Sequence, residues 1–278
     1  GAIYRATHVE SGQQFALKVL HAELATSDAR VIARFRREAA TLSQLRCPNT
    51  IQAFEIDEAP DGSLYIVMEL LHGESLYEQF RAKGVLAWQR VVKIGRQVCN
   101  SLAEAHGLGI IHRDLKPANI HLEATDGNPD FVKVLDFGIA KVLIQDELMA
   151  ETVQGAVFGT PEYMSPEAAR GEDVDHRADV YSLGVILFDM LCGRPPFEAS
   201  QSSDVLNMHI NQPPPSPREF APHREITEAA EKVIRAAIAF RSSGYGTPVL
   251  VGRPERIAEV IKAQSLHDAE GLEVVTAA

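Results

Sequence analysis

The pattern of the apolar residues changes after His72-Gly73, from mostly strand-like to mostly helical. Ahead of that point the runs alternate as strands do. "GAIYRATH" and "QQFALKVL" flank "VESGQ", with Ser11-Gly12 at the turn, and predict a hairpin. "IQAFEI" and "SLYIVMEL" predict a second strand pair across "DEAPDG". Between the pairs, Val31, Ile32, Phe35, Ala39, Leu42 and Leu45 recur at helical spacing, with Thr26, Ser27 and Asp28 as caps. Beyond Gly73, Val91, Ile94, Val98, Leu102 and Ala105 predict a long amphipathic helix ending near Gly107. "IIHRDLKPANIHL" and "DFVKVLDFG" read as short strand-and-loop segments around "DGNP", and helices dominate from Asp175. The expected class is α+β, with a β-rich first part and a mainly helical second. Taken alone, the proline-rich stretch "NQPPPSPREFAP" (Asn211–Pro222) predicts a boundary.

Charge and composition narrow the function. With 278 residues, 45% of them apolar, the chain can bury a sizeable core. A net charge of −11 argues against a nucleic-acid partner, which needs a basic stripe to neutralise phosphates. Cys47, Cys99 and Cys192 are scattered, without a CxxC spacing, so free buried thiols in a reducing, cytoplasmic setting are expected. No apolar run reaches the ~18 residues that a membrane span needs. "VYSLGVILFDML" (Val180–Leu191) reads instead as a core helix.

The chemistry lies in two clusters. Lys18 sits in an apolar strand between Ala16 and Leu20, and Glu38 sits on the apolar face of its expected helix. Each is a charge that needs a partner. They could pair with each other, functionally or as a plain ion pair at the sheet's edge. The second cluster is "HRDLKPAN", which puts Asp114, Lys116 and Asn119 in one loop, and "LDFG", which ends a strand at Asp136. Asn119 and Asp136 offer the oxygen ligands Mg²⁺ prefers. Asp114 could accept a proton from an attacking hydroxyl, and Lys116 could neutralise a moving phosphoryl group. Singly, such residues are common turn punctuation. As an ordered set they form a long motif.

That set, with "ALKVL" and "GTPEYMSPE", resembles the eukaryotic-like protein kinases, in their serine/threonine branch. "DHRADVYSLGVILFDMLCGRPPF" resembles bacterial members. The resemblance covers about Gly1 to Ile238 and implies the two-lobed kinase fold, with ATP and Mg²⁺ as cofactors and protein Ser/Thr hydroxyls as acceptors. It implies that Lys18 holds the α- and β-phosphates and pairs with Glu38, and that Ile3 and Ala16 line the nucleotide site. It further implies that Met68 lies behind the adenine, and that Glu69, Leu70 and Leu71 bond it through main-chain groups. Asp114 would be the catalytic base, and Asn119 and Asp136 the Mg²⁺ ligands. Thr160 would contact the catalytic loop, Glu167 would pair with an arginine near the end of the lobe, and Asp179 would tie the catalytic-loop backbone to the buried helix. Arg113 would receive a phosphate on the activation loop, Asp136 to Glu167, with Thr152 as the phosphorylated position. Self-association for trans-autophosphorylation would follow.

Two departures shape the expected domains. The kinase glycine-rich loop reads G-x-G-x-x-G-x-V. Gly1 stands at its last glycine and Ile3 in the valine place, so residues 1–71 are expected to form an incomplete N-lobe with one exposed sheet edge. Residues 72–240 are the expected C-lobe. In 241–278, "TPVLV", "RPERIAEVIKA" and "LEVV" predict a β-α-β unit and so a parallel pairing. "GYGTPVLVGRPERI" resembles part of a phosphate acetyltransferase domain, also found at the C-terminus of some bacterial malic enzymes. The competing reading of this tail is an unusual kinase ending, with Arg253-Pro254 as the displaced R-P pair facing Glu167. The alternative function is a pseudokinase-like binding module, catalytically impaired.

Overall fold

The first strands form because β-branched, aromatic and leucine residues alternate across tight turns. A computed structural model describes residues 2–20, 43–125, 127–137 and 160–228, the positions Glu231, Lys232, Ile234 and Ala237, and the strand positions 250–251 and 274–275. Strands β1 (Ala2–Thr7), β2 (Gln14–Leu20), β3 (Ala53–Glu58) and β4 (Leu64–Glu69) make an antiparallel sheet in the order β1-β2-β4-β3, with β1 at one edge. Both expected hairpins are present. β3 starts at Ala53 rather than at Ile51 because the preceding residues serve another strand. Thr50 bridges Val134, and the Ile51 N–H donates to the Val134 carbonyl at 3.0 Å. Leu45, expected on a helix, is buried in irregular chain beyond a turn. The rest of that expected helix lies outside the described residues.

After Gly73 come β5 (Glu74–Ser75), α1 (Leu76–Lys83) and α2 (Trp88–Gly107). The sequence had not suggested α1. Its signal is a capping box: the Ser75 N–H and hydroxyl both donate to Glu78 Oε2, while the Glu78 N–H donates back to Ser75 Oγ. α2 buries Val91, Ile94, Val98, Leu102 and Ala105, as its period requires. A 3-10 turn (Pro117–Asn119) leads into β6 (Ile120–Thr125), and β7 (Asn128–Val134) returns antiparallel to it, giving the sheet order β5-β6-β7.

A second 3-10 turn (Pro161–Tyr163) precedes α3 (Pro166–Ala169), α4 (Arg177–Cys192), α5 (Ser202–Asn211) and α6 (Pro217–Phe220). α4 is the core helix expected from "VYSLGVILFDML". It is buried almost all round and ends at Gly193, whose φ of 86° suits glycine. The proline-rich stretch is not a boundary. Ser216 caps α6, Ala221 is buried, and the Phe220 ring packs 5.0 Å from that of Phe188 on α4. The burial expected of the cysteines also fails: Cys99 is exposed on α2, and Cys47 and Cys192 are half-buried, although all three are free. Near the end of the chain, β8 (Leu250–Val251) and β9 (Val274–Val275) pair in parallel; the helix expected between them lies outside the described residues.

The chain divides into two compact units. One joins Gly1–Ala82 to Lys93–Phe158, and the other joins Lys83–Val92 to Gly159–Ala278. Among the described residues no helix is long and apolar enough to cross a membrane.

Candidate active site

Sheet register sets the first wall of the site. Ile3 lies opposite Lys18, which lies opposite Ile66, and Ala16 lies opposite Met68. Cross-strand partners share a face, so Ile3, Ala16, Ile66 and Met68 flank the Lys18 ammonium, with Arg5 opposite Ala16 on the edge strand. Leu64, Ile66 and Met68 are buried, with Ala16, Ile51, Ala53 and Ile56 packed against them. Ile3 stays 65% exposed at the edge of that face.

Lys18 does not end in solvent. Its Nζ lies 2.5 Å from Asp136 Oδ1, joining β2 to the residue pair that follows β7. The lysine side chain is 19% exposed and the carboxylate 41%, so the pair stands at the rim of the site. Its expected partner, Glu38, is outside the described residues, as are Gly1, Thr152 and Arg253.

The "HRDLKPAN" loop and the end of β7 are stitched together by main-chain bonds. The Leu135 N–H donates to the Asn119 carbonyl at 2.9 Å. His112, fully buried, bonds the Leu135 carbonyl through Nε2 at 2.8 Å. Its Nδ1 accepts from the Asp114 N–H at 3.3 Å, which fixes the tautomer with the proton on Nε2. The His112 ring also packs 4.8 Å from that of Phe137. One histidine thus ties the main chain of Asp114 to the residues on both sides of Asp136. The sequence reading gave His112 no role. Its only signal was its place in the motif.

Within the loop, Lys116 Nζ lies 2.9 Å from Asp114 Oδ2. Asn119 Nδ2 donates to the Asp114 carbonyl at 2.8 Å, which directs the amide plane and leaves Oδ1 as the acceptor end. Among the described residues, the non-glycine residues with positive φ are Arg113 (63°) and Asp136 (53°). Such backbone costs about 1–3 kcal/mol and collects where function demands a particular side-chain direction. The Asp136 carboxylate already holds one cation, Lys18, and Asn119 is buried; carboxylate and amide oxygens are donor types that a hard divalent cation takes.

The remaining expected residues divide between the units. Met68 is buried on β4, followed by Glu69, Leu70 and Leu71. The Glu69 carboxylate accepts from Lys133 Nζ at 2.7 Å and from the Gln52 N–H at 2.8 Å, contacts that sequence reasoning missed. Arg113 is exposed. In the second unit, Thr160 precedes the 3-10 turn, while Glu167 on α3 and Asp179 in the first turn of α4 are buried. Below that turn, the Tyr163 hydroxyl donates to Asp189 Oδ2 at 2.7 Å and Ser182 Oγ donates to the Tyr163 carbonyl at 2.8 Å.

A sheet-borne lysine, a loop carrying aspartate, lysine and asparagine, and a second aspartate on a strained turn define a phosphoryl-transfer class of site. The protein kinase domain family matches residues 1–243, and the chain belongs to that family. The chain is 44% identical over 240 residues to serine/threonine-protein kinase pkn3 of Myxococcus xanthus, covering 86% of this chain and 44% of the relative. It is 43% identical over 239 residues to Pkn1 of the same organism, covering 86% of this chain and 33% of that protein. Against PknB of Mycobacterium leprae it is 36% identical over 278 residues, covering 99% of this chain and 42% of the relative. The chain therefore spans less than half the length of these relatives.

Proposed function

We propose that this chain transfers the γ-phosphoryl group of ATP to serine or threonine hydroxyls of proteins, with Mg²⁺. The observation that carries the proposal is the closed set of contacts from Lys18 to Asp136 and from Leu135 through Asn119 and His112 to Asp114. These contacts join Lys18, Asp136, Asn119 and Asp114, four of the residues this reading needs.

Each residue has a task in this reading. Ile3, Ala16 and Met68 present apolar surface to the adenine, and the main chain of Glu69 to Leu71 bonds its edge. Lys18 holds the α- and β-phosphates once its ammonium leaves Asp136. Asp136 and Asn119 hold Mg²⁺, which when bound neutralises phosphate oxygens and fixes their direction. Asp114 accepts the proton of the attacking hydroxyl, and Lys116 sits where charge develops on the transferred group. Glu38 pairs with Lys18 in the active arrangement. Thr160 borders the acceptor, and Glu167 and Asp179 support the loops around it. Thr152 is the phosphorylated position, received by Arg113; ATP supplies the phosphoryl group, leaving ADP, and a second copy of the chain catalyses the transfer. A cytoplasmic setting suits this nucleotide-dependent chemistry.

The test is transfer of labelled phosphate from ATP to dephosphorylated casein, with and without EDTA. Label on serine or threonine that disappears with EDTA supports the reading. Nucleotide binding without transfer favours the pseudokinase-like alternative.

We also assign residues 1–71 to an N-lobe, 72–240 to a C-lobe and 241–278 to an appended segment of acetyltransferase-like origin. Two observations support the last: the family match stops at residue 243, and β8 and β9 are parallel where the other named strands pair antiparallel. Deleting 244–278 should then leave Tm unchanged. A large fall in Tm would favour the integrated ending in which Arg253 meets Glu167.

A further inference from the structure

Among the described residues β7 has one edge paired to β6 and, on the other, only the isolated bridge from Thr50 to Val134. Its outward groups are nevertheless all bonded from Asp130 to Val134. The Asp130 N–H donates to Asn128 Oδ1, the Val132 carbonyl accepts from Asn49 Nδ2, and the Val134 N–H and carbonyl bond the Asn49 carbonyl and the Ile51 N–H. The two groups between these, the Asp130 carbonyl and the Val132 N–H, are taken by one side chain, Gln97 of α2. Gln97 Nε2 donates to the Asp130 carbonyl at 2.8 Å, and its Oε1 accepts from the Val132 N–H at 3.1 Å.

This is the pairing a residue of a neighbouring parallel strand makes, one donor and one acceptor two residues apart. A glutamine amide has the same groups as a peptide unit, so Gln97 replaces a strand by a single side chain. It is itself held. Nε2 also donates to the Lys93 carbonyl at 3.2 Å, and Oε1 also accepts from Asn49 and Asn128. Gln97 is only 8% exposed, so these bonds form away from competing water.

What β7 delivers makes this functional. Two residues beyond Val134 the chain reaches Asp136, and Leu135 bonds Asn119 on the way. A shift of β7 along its axis moves the Asp136 carboxylate against the Asn119 amide. We infer that Gln97 is a positioning residue for the Asp136–Asn119 cation site, acting through the backbone of β7. The inference rests on the kinase reading, in which those two residues hold Mg²⁺.

The test is Gln97→Met beside Ser101→Ala. Methionine keeps the bulk of glutamine and removes its bonds to β7. Ser101 makes a buried 2.6 Å bond to Thr50, which bridges Val134, so its loss disturbs the same edge of β7 without removing any bond that Gln97 makes. The readout is calorimetric binding of a non-hydrolysable ATP analogue, adenylyl imidodiphosphate, as Mg²⁺ is varied. Gln97→Met should raise the half-saturating Mg²⁺ concentration about three- to tenfold. Ser101→Ala should lower Tm and leave the Mg²⁺ requirement as in the wild type.

An unchanged Mg²⁺ requirement in Gln97→Met, with only Tm lowered, overturns the inference and leaves the kinase reading intact. If Gln97→Met does not fold, Asn128→Ala removes one of the bonds that hold Gln97, and the same shift should appear in smaller size. No shift there overturns the inference as well. A wild-type chain that binds no Mg²⁺–nucleotide overturns the kinase reading and this inference with it.

Discussion

Lys18 Nζ and Asp136 Oδ1 lie 2.5 Å apart across 118 residues of sequence. The lysine ammonium occupies a carboxylate that a divalent cation would also use. Lys18→Met should therefore act in two directions. Mg²⁺ binding without nucleotide should tighten about two- to fivefold, since a competing charge of surface ion-pair strength is gone. Phosphoryl transfer should fall by roughly 100-fold or more, because nothing then holds the α- and β-phosphates. Calorimetry with Mg²⁺ alone and a transfer assay separate the two effects. Weaker Mg²⁺ binding in Lys18→Met would show that the pair does not compete in this way.

Asp114 offers a cleaner loss of chemistry. Its main-chain N–H and carbonyl bond His112 and Asn119, and these contacts do not use its carboxylate. The carboxylate's ion pair with Lys116 is partly exposed, worth at most about 1 kcal/mol. Asp114→Asn should keep Tm within a few degrees of the wild type while transfer falls about 10²–10⁴-fold. A matching collapse of Tm would make the residue structural.

Among the described glycines, Gly73 is the one where an added Cβ would come nearest to another atom. Its φ is 126°, and a Cβ there would lie 2.1 Å from the Leu122 carbonyl oxygen on β6. Gly62 also has a positive φ, 83°, but open space around it. Gly62→Ala should cost about 1 kcal/mol of backbone strain, and Gly73→Ala about 3 kcal/mol or more. Thermal melts of the two variants test this. Equal losses would remove the role of the β6 contact.

Two buried groups under the Pro161–Tyr163 turn should make stability depend on pH in opposite senses. Burial pushes the Asp189 carboxyl up to about 6, with the Tyr163 hydroxyl opposing the shift. Burial pushes the His209 imidazole down to about 4, opposed by main-chain groups of Glu162 and Pro161. The folded state binds the Asp189 proton more tightly than the unfolded chain does. Its contribution is full below pH ~4 and is lost as pH rises to ~6. The His209 contribution is full above pH ~6.5 and is lost as pH falls to ~4. Each is worth on the order of 3 kcal/mol. Relative to wild type, Asp189→Asn should gain stability as pH rises from 4 to 7, and His209→Gln should gain as pH falls. Parallel pH profiles for the two variants would contradict this.

Much of the site is legible in the sequence because its residues come in short motifs whose types carry the chemistry. Lys18 in its strand, Asp114, Lys116 and Asn119 in one loop, and Asp136 before Gly138 need no long-range contact to be noticed. The partner of Lys18 is different. Nothing periodic links Lys18 to Asp136, while charge pairing and the kinase resemblance both pointed to Glu38, which lies outside the described residues. Gln97 and Asn49 are invisible for another reason: a polar residue on an amphipathic helix or in a loop reads as solvated until a strand edge is found beside it. The proline-rich stretch misleads because prolines start α6 and its approach, while Phe220, a single aromatic, docks it on α4. The cysteines mislead because residue type is only a prior on burial. For Cys192, burial together with the Asp189 charge still pushes the thiol up to about 12, which keeps it unreactive.

The central claim is that one packed cluster, centred on Asp114, performs phosphoryl transfer. Intact-mass spectrometry after incubation with Mg-ATP, on the wild type and on Asp114→Asn side by side, tests it most directly. The account predicts added phosphate on the wild type alone, mapping to Thr152 or its neighbours and absent when EDTA is present. Equal phosphate on both proteins, or none on a wild type that also leaves casein unlabelled, would contradict it.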